Sequence, residues 1–267
     1  MAADGRRQLV WDRQWFSFTL WGRLSYDPSL SDTHFQRLIG TRHPSVSAEK
    51  LFAASQSSSR IIPQVTRFNW GGIDLHWYPE ANLSHPSLYK GFYTVQHFME
   101  GKTMPGEDVL SISEWRKDLI AKKVITAQTP PEVAAALERD AETTLKLLMD
   151  LRPQAAVADK ELTQTLGDYE AQALLGRYYA AKIRGAIDLA EFNASADAAA
   201  QASALKHVEN ALAHWKQYAA IYDRQYTPQL LNRVGTADIP ALTNKAAEDL
   251  DIVRNLKPGT EPLPKRK

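Results

Sequence analysis

Asp74 and Glu80 stand six positions apart within Phe68-Asn69-Trp70-Gly71-Gly72-Ile73-Asp74-Leu75-His76-Trp77-Tyr78-Pro79-Glu80. Two carboxyl groups held a few ångströms apart across a bond are the equipment of glycoside hydrolysis, one protonating the leaving oxygen and the other acting as nucleophile or base. Spacing along the chain does not set that separation, so Asp74 and Glu80 are candidates for catalysis only. The same stretch suits sugar binding without cleavage. Sugar rings present apolar C–H faces that aromatic side chains cover, while charged and amide groups grip the hydroxyls. Trp70, Asp74, His76, Trp77, Tyr78 and Glu80 supply that mixture within eleven residues. The plainer alternative is that Trp70 and Trp77 fill core between short helices and Asp74 caps one of them.

Other chemistries lose their usual support. The chain has no cysteine, which excludes disulfides, thiolate metal sites and thiol nucleophiles. No GxxxxGK[ST] loop, GxGxxG turn, GxSxG elbow or HExxH pair occurs. His207 and His214 share a helical face but lack acidic neighbours placed to complete a metal site. No metal and no cofactor is therefore expected. Asn82-Leu83-Ser84 and Asn193-Ala194-Ser195 match the short glycan-acceptor pattern, which matters only in an exported protein. Thirty-two basic against 31 acidic side chains give a net charge of +1, so no whole-chain field draws the protein to nucleic acid or an anionic membrane. Charge returns at Asp12 before a leader-length apolar run can form, and no apolar stretch is long enough to span a bilayer. As written, the chain is expected to be cytoplasmic; as a fragment of a secreted protein, it would be extracellular or periplasmic.

These residues must be positioned by helices. Composition divides the 267 residues near position 110. Six of the seven tryptophans, counting Trp115 at the border, and five of the seven histidines lie on the N-terminal side. Beyond it the chain is rich in alanine, leucine and glutamate, with strong helix propensity. The expected organisation is an aromatic-rich helical subdomain over 1–110, a helical bundle over 111–257 and a tail over 258–267.

In the second part, Thr129-Pro130-Pro131-Glu132 is a capping box with a first-turn proline, opening a helix to about Leu151. Asp159 can cap a long helix through Leu189, in which Gly176 and Gly185 imply close approach of neighbours. A third helix is predicted from about Ala196 to Tyr226, and a fourth from Asp238-Ile239-Pro240 to before Lys257. Four long helices with short joints read as an antiparallel bundle or array, giving an all-α fold.

The first part reads as shorter helices: about 12–24, one capped by Ser31-Asp32, one capped by Ser47, and one opened by Ser111-Ile112-Ser113-Glu114. Phe68 to Glu80 has no clean period and is expected to be loop with at most one helical turn. In the first helix Trp11, Trp15, Phe16, Phe18, Trp21 and Leu24 spread over more than one face. Such a helix is either central to its domain or packs on a preceding domain or a second subunit.

The run Trp15-Phe16-Ser17-Phe18-Thr19-Leu20-Trp21-Gly22-Arg23-Leu24-Ser25-Tyr26-Asp27-Pro28-Ser29-Leu30-Ser31 resembles the segment just after the catalytic barrel of bacterial alpha-glucuronidase-like glycoside hydrolases. There an aromatic helix leads into Gly-Arg-Leu, an aromatic residue, Asp or Asn, and Pro. Phe68-Asn69-Trp70-Gly71, Trp77-Tyr78-Pro79-Glu80 and 175–186 also resemble the helical C-terminal region of large polysaccharide-degrading proteins. The resemblance implies that the acid and base belong to a barrel absent from this sequence. It places Arg23, Tyr26 and the Trp70 to Glu80 loop nearest a sugar. It also implies that the helical region supports the barrel, lines the cleft or mediates dimerisation.

The leading expectation is thus a helical domain that binds or positions a polysaccharide or oligosaccharide without cleaving it alone. A stand-alone hydrolase using Asp74 and Glu80, with His76 or Arg23 assisting, is one alternative. The other is an interaction scaffold whose partner, a catalytic barrel or a second copy, meets the helix over Trp11 to Leu24.

Overall fold

The computed structural model describes residues 10–70, 77–85, 90–155, 159–231 and 234–259. It is all-α, with two short hairpins besides the helices. The three longest helices form its spine: α8 (Pro130–Leu151), α9 (Lys160–Ser195) and α10 (Ala198–Gln225). Before them come α1 (Val10–Arg13), α2 (Trp15–Tyr26), α3 (Asp32–Arg42), α4 (Ala48–Ser59), α5 (Ile61–Phe68), α6 (Val95–Met99) and α7 (Ile112–Ile120); α11 (Thr243–Asn255) follows. Strands β1 (Trp77–Tyr78) and β2 (Leu83–Ser84) pair antiparallel, Trp77 opposite Ser84, and β3 (Gln229–Leu231) pairs with β4 (Gly235–Ala237).

Local chemistry sets the helix limits. Thr129 and Glu132 exchange cap bonds at the start of α8, with prolines filling first-turn positions where the N–H has no helical partner anyway. Asp159 accepts from the Leu162 amide to open α9, Ser47 accepts from Lys50 to open α4, and Ser111 with Glu114 opens α7. Ala196, left-handed at φ 57°, ends α9, and Asp197 caps α10 immediately afterwards, so the chain reverses within two residues. The glycines of α9 do what their cost in helix propensity implied. A Cβ on Gly176 would meet Ile61 of α5 at 2.9 Å, and one on Gly185 would meet Val208 of α10 at 2.9 Å.

Two apolar cores result. The larger gathers α5, α6, the β1–β2 hairpin, the N-terminal part of α8, most of α9, and α10 and α11 around Trp215, Tyr178, Tyr179 and Phe98. The smaller joins Phe35, Ile39, Leu51 and Phe52 to Leu148, Leu151, Leu162 and Leu166. Residues from both sides of position 110 take part in each.

The structure departs from expectation in several places. The first helix breaks at Gln14, and α2 has no buried residue; Trp15, Phe16 and Leu20 rest on the smaller core while its other face stays bare. Trp21 is 79% exposed and Tyr26 93%. Phe68 to Glu80 is not all loop, because Phe68 ends α5 and Trp77 with Tyr78 forms β1; 71–76 lie outside the described residues. The last helix begins at Thr243, since Asp238 instead accepts from the Ala241 amide in a turn and the β3–β4 hairpin occupies the approach.

Candidate functional site

A cleft of about 490 Å³ opens where the α1–α2 break, α4, α9 and the end of α10 meet the β1–β2 turn. The break at Gln14 turns Arg13, the last residue of α1, away from the outer face of α2. Its guanidinium reaches Asp168 on α9, Tyr226 Oη at 2.9 Å and Gln164 Oε1 at 3.1 Å. Tyr226 is where α10 stops. Its backbone there is extended, and the phenol donates to Asp168 Oδ1 at 2.6 Å. Gln225 Nε2 donates to the same oxygen at 2.7 Å.

Burial pushes the Asp168 carboxyl above the usual carboxylate range, against the opposing pull of Arg13, Tyr226 and Gln225. Burial raises the Tyr226, Tyr218 and Tyr222 phenols too, so all three are neutral hydrogen-bonding groups at neutral pH. Tyr218, Tyr222 and Tyr226 follow one another at helical spacing, with ring centres 6.2 and 5.0 Å apart, and make an aromatic wall. Trp15, Phe16 and Tyr169 bring further rings, and Arg42 stacks over Trp15 at 4.8 Å.

Glu80 completes the cleft. The β1–β2 turn that carries it is fixed from below: Tyr179 donates to the Pro79 carbonyl at 2.5 Å, and Tyr218 donates to the Glu80 carbonyl at 2.7 Å. Glu80 is exposed to solvent, while the protein close around its carboxyl holds it above the ordinary range. Gln172 Oε1, in the α9 wall, is buried with no hydrogen-bond partner among the described residues.

Of the residues expected from sequence to touch a sugar, Glu80 is the one that lines this cleft among the described residues. Trp77 packs into the larger core, its ring 5.3 Å from Tyr93 and edge-on to Phe98 and Tyr179. Tyr78 is half-buried against that core. Trp70 is half-buried, and its amide donates to the Lys102 carbonyl. Arg23 and Tyr26 are exposed on α2. Asp74 and His76 lie outside the described residues. Arg13, Asp168, Gln172 and the tyrosine wall were not singled out from sequence, although the i, i+4, i+8 spacing of the tyrosines was there to be read. His207 and His214 line a shallow groove with Glu138 and Arg184, and His207 lies 3.6 Å from Asp188. No cluster of three metal-ligating side chains occurs among the described residues. No described helix is long and apolar enough to cross a membrane.

Comparison with family models and with curated proteins returns no match. Among solved structures, a GH138 enzyme targeting pectin rhamnogalacturonan II is similar to this chain, with a TM-score of 0.76 over 95% of its residues and 12% sequence identity. The match covers 40% of that enzyme, so this chain spans about two-fifths of its length. At that identity the likeness is one of fold.

Proposed function

We propose that the protein is a carbohydrate-associated helical domain that holds a glycan in the Arg13–Asp168 cleft, equivalent to the non-catalytic C-terminal part of a larger glycoside hydrolase. The observation that carries this reading is the composition of the cleft. Tyr222, Tyr226 and Trp15 offer ring surface beside carboxyl and amide oxygens, in a volume suited to one or two sugar rings. The fold shared with a glycan-directed enzyme and the resemblance of 15–31 to the segment after a hydrolase barrel support the same class. Trp70, Asp74, His76, Trp77, Tyr78, Arg23 and Tyr26 are then proposed as further sugar-binding residues in addition to Glu80.

The test is a tryptophan-fluorescence titration with fragments of pectin, xylan and cellulose, each mixture then assayed for released sugar. Saturable change without release, lost in Asp168→Asn and in Tyr222→Ala, is expected. Release that disappears in Asp74→Asn and Glu80→Gln would instead make the chain a hydrolase. Silence across the panel would remove the binding reading.

A second reading, compatible with the first, is favoured by α1 and α2. Trp11 is 65% exposed, Phe18 57% and Trp21 79%, a run of large apolar side chains that ordinarily marks an interaction face. We infer that this face meets a catalytic barrel domain or a second copy of the chain. Sedimentation over a wide concentration range, with Trp21→Ser as control, is the check. A strict monomer that binds no hydrophobic dye would end it.

A further inference from the structure

The cations that line the cleft, Arg13 and His43, are already engaged, and that bears on which glycan it takes. Arg13 spends its two terminal nitrogens on Asp168, Tyr226 and Gln164. The Tyr226 hydroxyl donates to Asp168, and the Tyr218 hydroxyl donates to the Glu80 carbonyl. His43 is engaged by Asp159 at 3.1 Å, with Glu161 at 3.7 Å from its other ring nitrogen. On α4, Ser58 and Ser59 both donate to the Ser55 carbonyl, at 3.1 and 2.6 Å, so these serines turn only lone pairs outward.

The acceptors stand otherwise. No described cation pairs with the Glu80 carboxyl, and Gln172 Oε1 has no donor among the described residues. Asp168 offset against Arg13, with Glu80 in addition, leaves the wall without surplus positive charge. An anionic ring would have to lose hydration beside a carboxylate, and with no unengaged cation lining the cleft the like charges repel. A ring bearing only hydroxyls can donate to these same oxygens while its apolar face lies on the tyrosines.

Resting on the sugar-binding reading of this cleft, we infer that it selects neutral, hydroxyl-rich sugar units and discriminates against uronates, with Glu80 as the specificity-determining residue. A uronate-bearing polymer would then engage here through a neutral residue, its acidic units held elsewhere.

The experiment is calorimetric titration of the intact chain with matched pairs. One is α-1,4-linked trigalacturonate against its carboxyl-reduced trigalactose; the other is glucuronyl-substituted xylotriose against plain xylotriose. The neutral member of the pair that binds is expected to do so about tenfold or more tightly than its acidic counterpart. Glu80→Gln, which keeps the backbone carbonyl that holds Tyr218, is expected to narrow that ratio several-fold while its melting temperature stays near wild type. Equal or tighter binding of the acidic member would overturn the inference and leave the sugar-binding reading standing. No binding of either member in both pairs would overturn the two together. An unchanged ratio in folded Glu80→Gln would overturn the role given to Glu80.

Discussion

His97 closes the capping box of α6 in an unusual way, its Nδ1 accepting from the Thr94 amide at 3.0 Å while Thr94 accepts from the His97 amide. The bond requires an unprotonated Nδ1. Burial, reinforced by Lys90 and Lys182, holds the ring below the ordinary imidazole value of 6.5, at about 4. Between those values the unfolded chain binds more protons than the folded one, so stability falls as pH drops from 6.5 towards 4. The whole shift corresponds to about 3 kcal/mol. In His97→Gln a side-chain oxygen can still accept from Thr94, but the proton is gone. Urea unfolding at pH 7, 6 and 5 is expected to show a shallower loss of stability in the variant, and an equal slope would contradict the assignment. At the cleft, Tyr226→Phe removes a donor from Asp168 and an acceptor from Arg13. Its expected cost is about 1–2 kcal/mol by thermal melting, with weakened glycan binding, because Asp168 keeps Arg13 and Gln225.

Lys182 on α9 and Asp249 on α11 form an ion pair at 2.6 Å inside the larger core, both essentially without solvent contact. Burial drives the lysine down and the aspartate up, while each holds the other charged. The pair ties three elements together, since Asp249 also accepts from the Val95 amide at the start of α6 and Lys182 donates to Tyr178 Oη. Lys182→Met strands a buried carboxylate, so a loss of about 3–5 kcal/mol is expected in urea unfolding. Lys182→Met with Asp249→Leu is expected to recover much of it, a non-additivity that a merely additive pair of substitutions would not show. That tie could not be read from sequence, because 67 residues separate its ends. What could be read was local. Thr129 to Glu132, Ser47, Ser111 and Asp159 announce helix starts because capping involves residues two or three apart. The α6 box escapes the usual Ser/Thr-x-x-Glu pattern because its fourth position is histidine. Helix α5 hides behind Pro63, which sits in the first turn where it breaks no bond. The cleft is non-local throughout, drawing on positions 13, 80, 168 and 226, and the aromatic loop marked only Glu80 of these.

Helix α9 runs through both cores, with Leu162 and Leu166 in the smaller and Leu174 to Phe192 in the larger. The C-terminal part of α8 serves the smaller core through Leu148 and Leu151, and its N-terminal part serves the larger through Val133 and Leu137. A helix propagates order along its length once a turn is formed, so two helices common to both cores couple their stability. Were 1–110 an independent folding unit, Leu51→Ala would melt the smaller core while the larger stayed intact, and two transitions would separate. Shared helices lead to the other outcome. Leu51→Ala and Leu137→Ala, in different cores, are each expected to cost about 2–5 kcal/mol. Each should move a single urea transition seen alike by circular dichroism and tryptophan fluorescence, with Trp15 reporting beside one core and Trp215 inside the other. Because the cleft is built from α1, α4, α9, α10 and the β1–β2 turn, its glycan affinity should persist unchanged up to that transition and vanish with it. A fluorescence change from Trp15 that precedes loss of helix signal would show the smaller core, and one wall of the cleft, opening on its own.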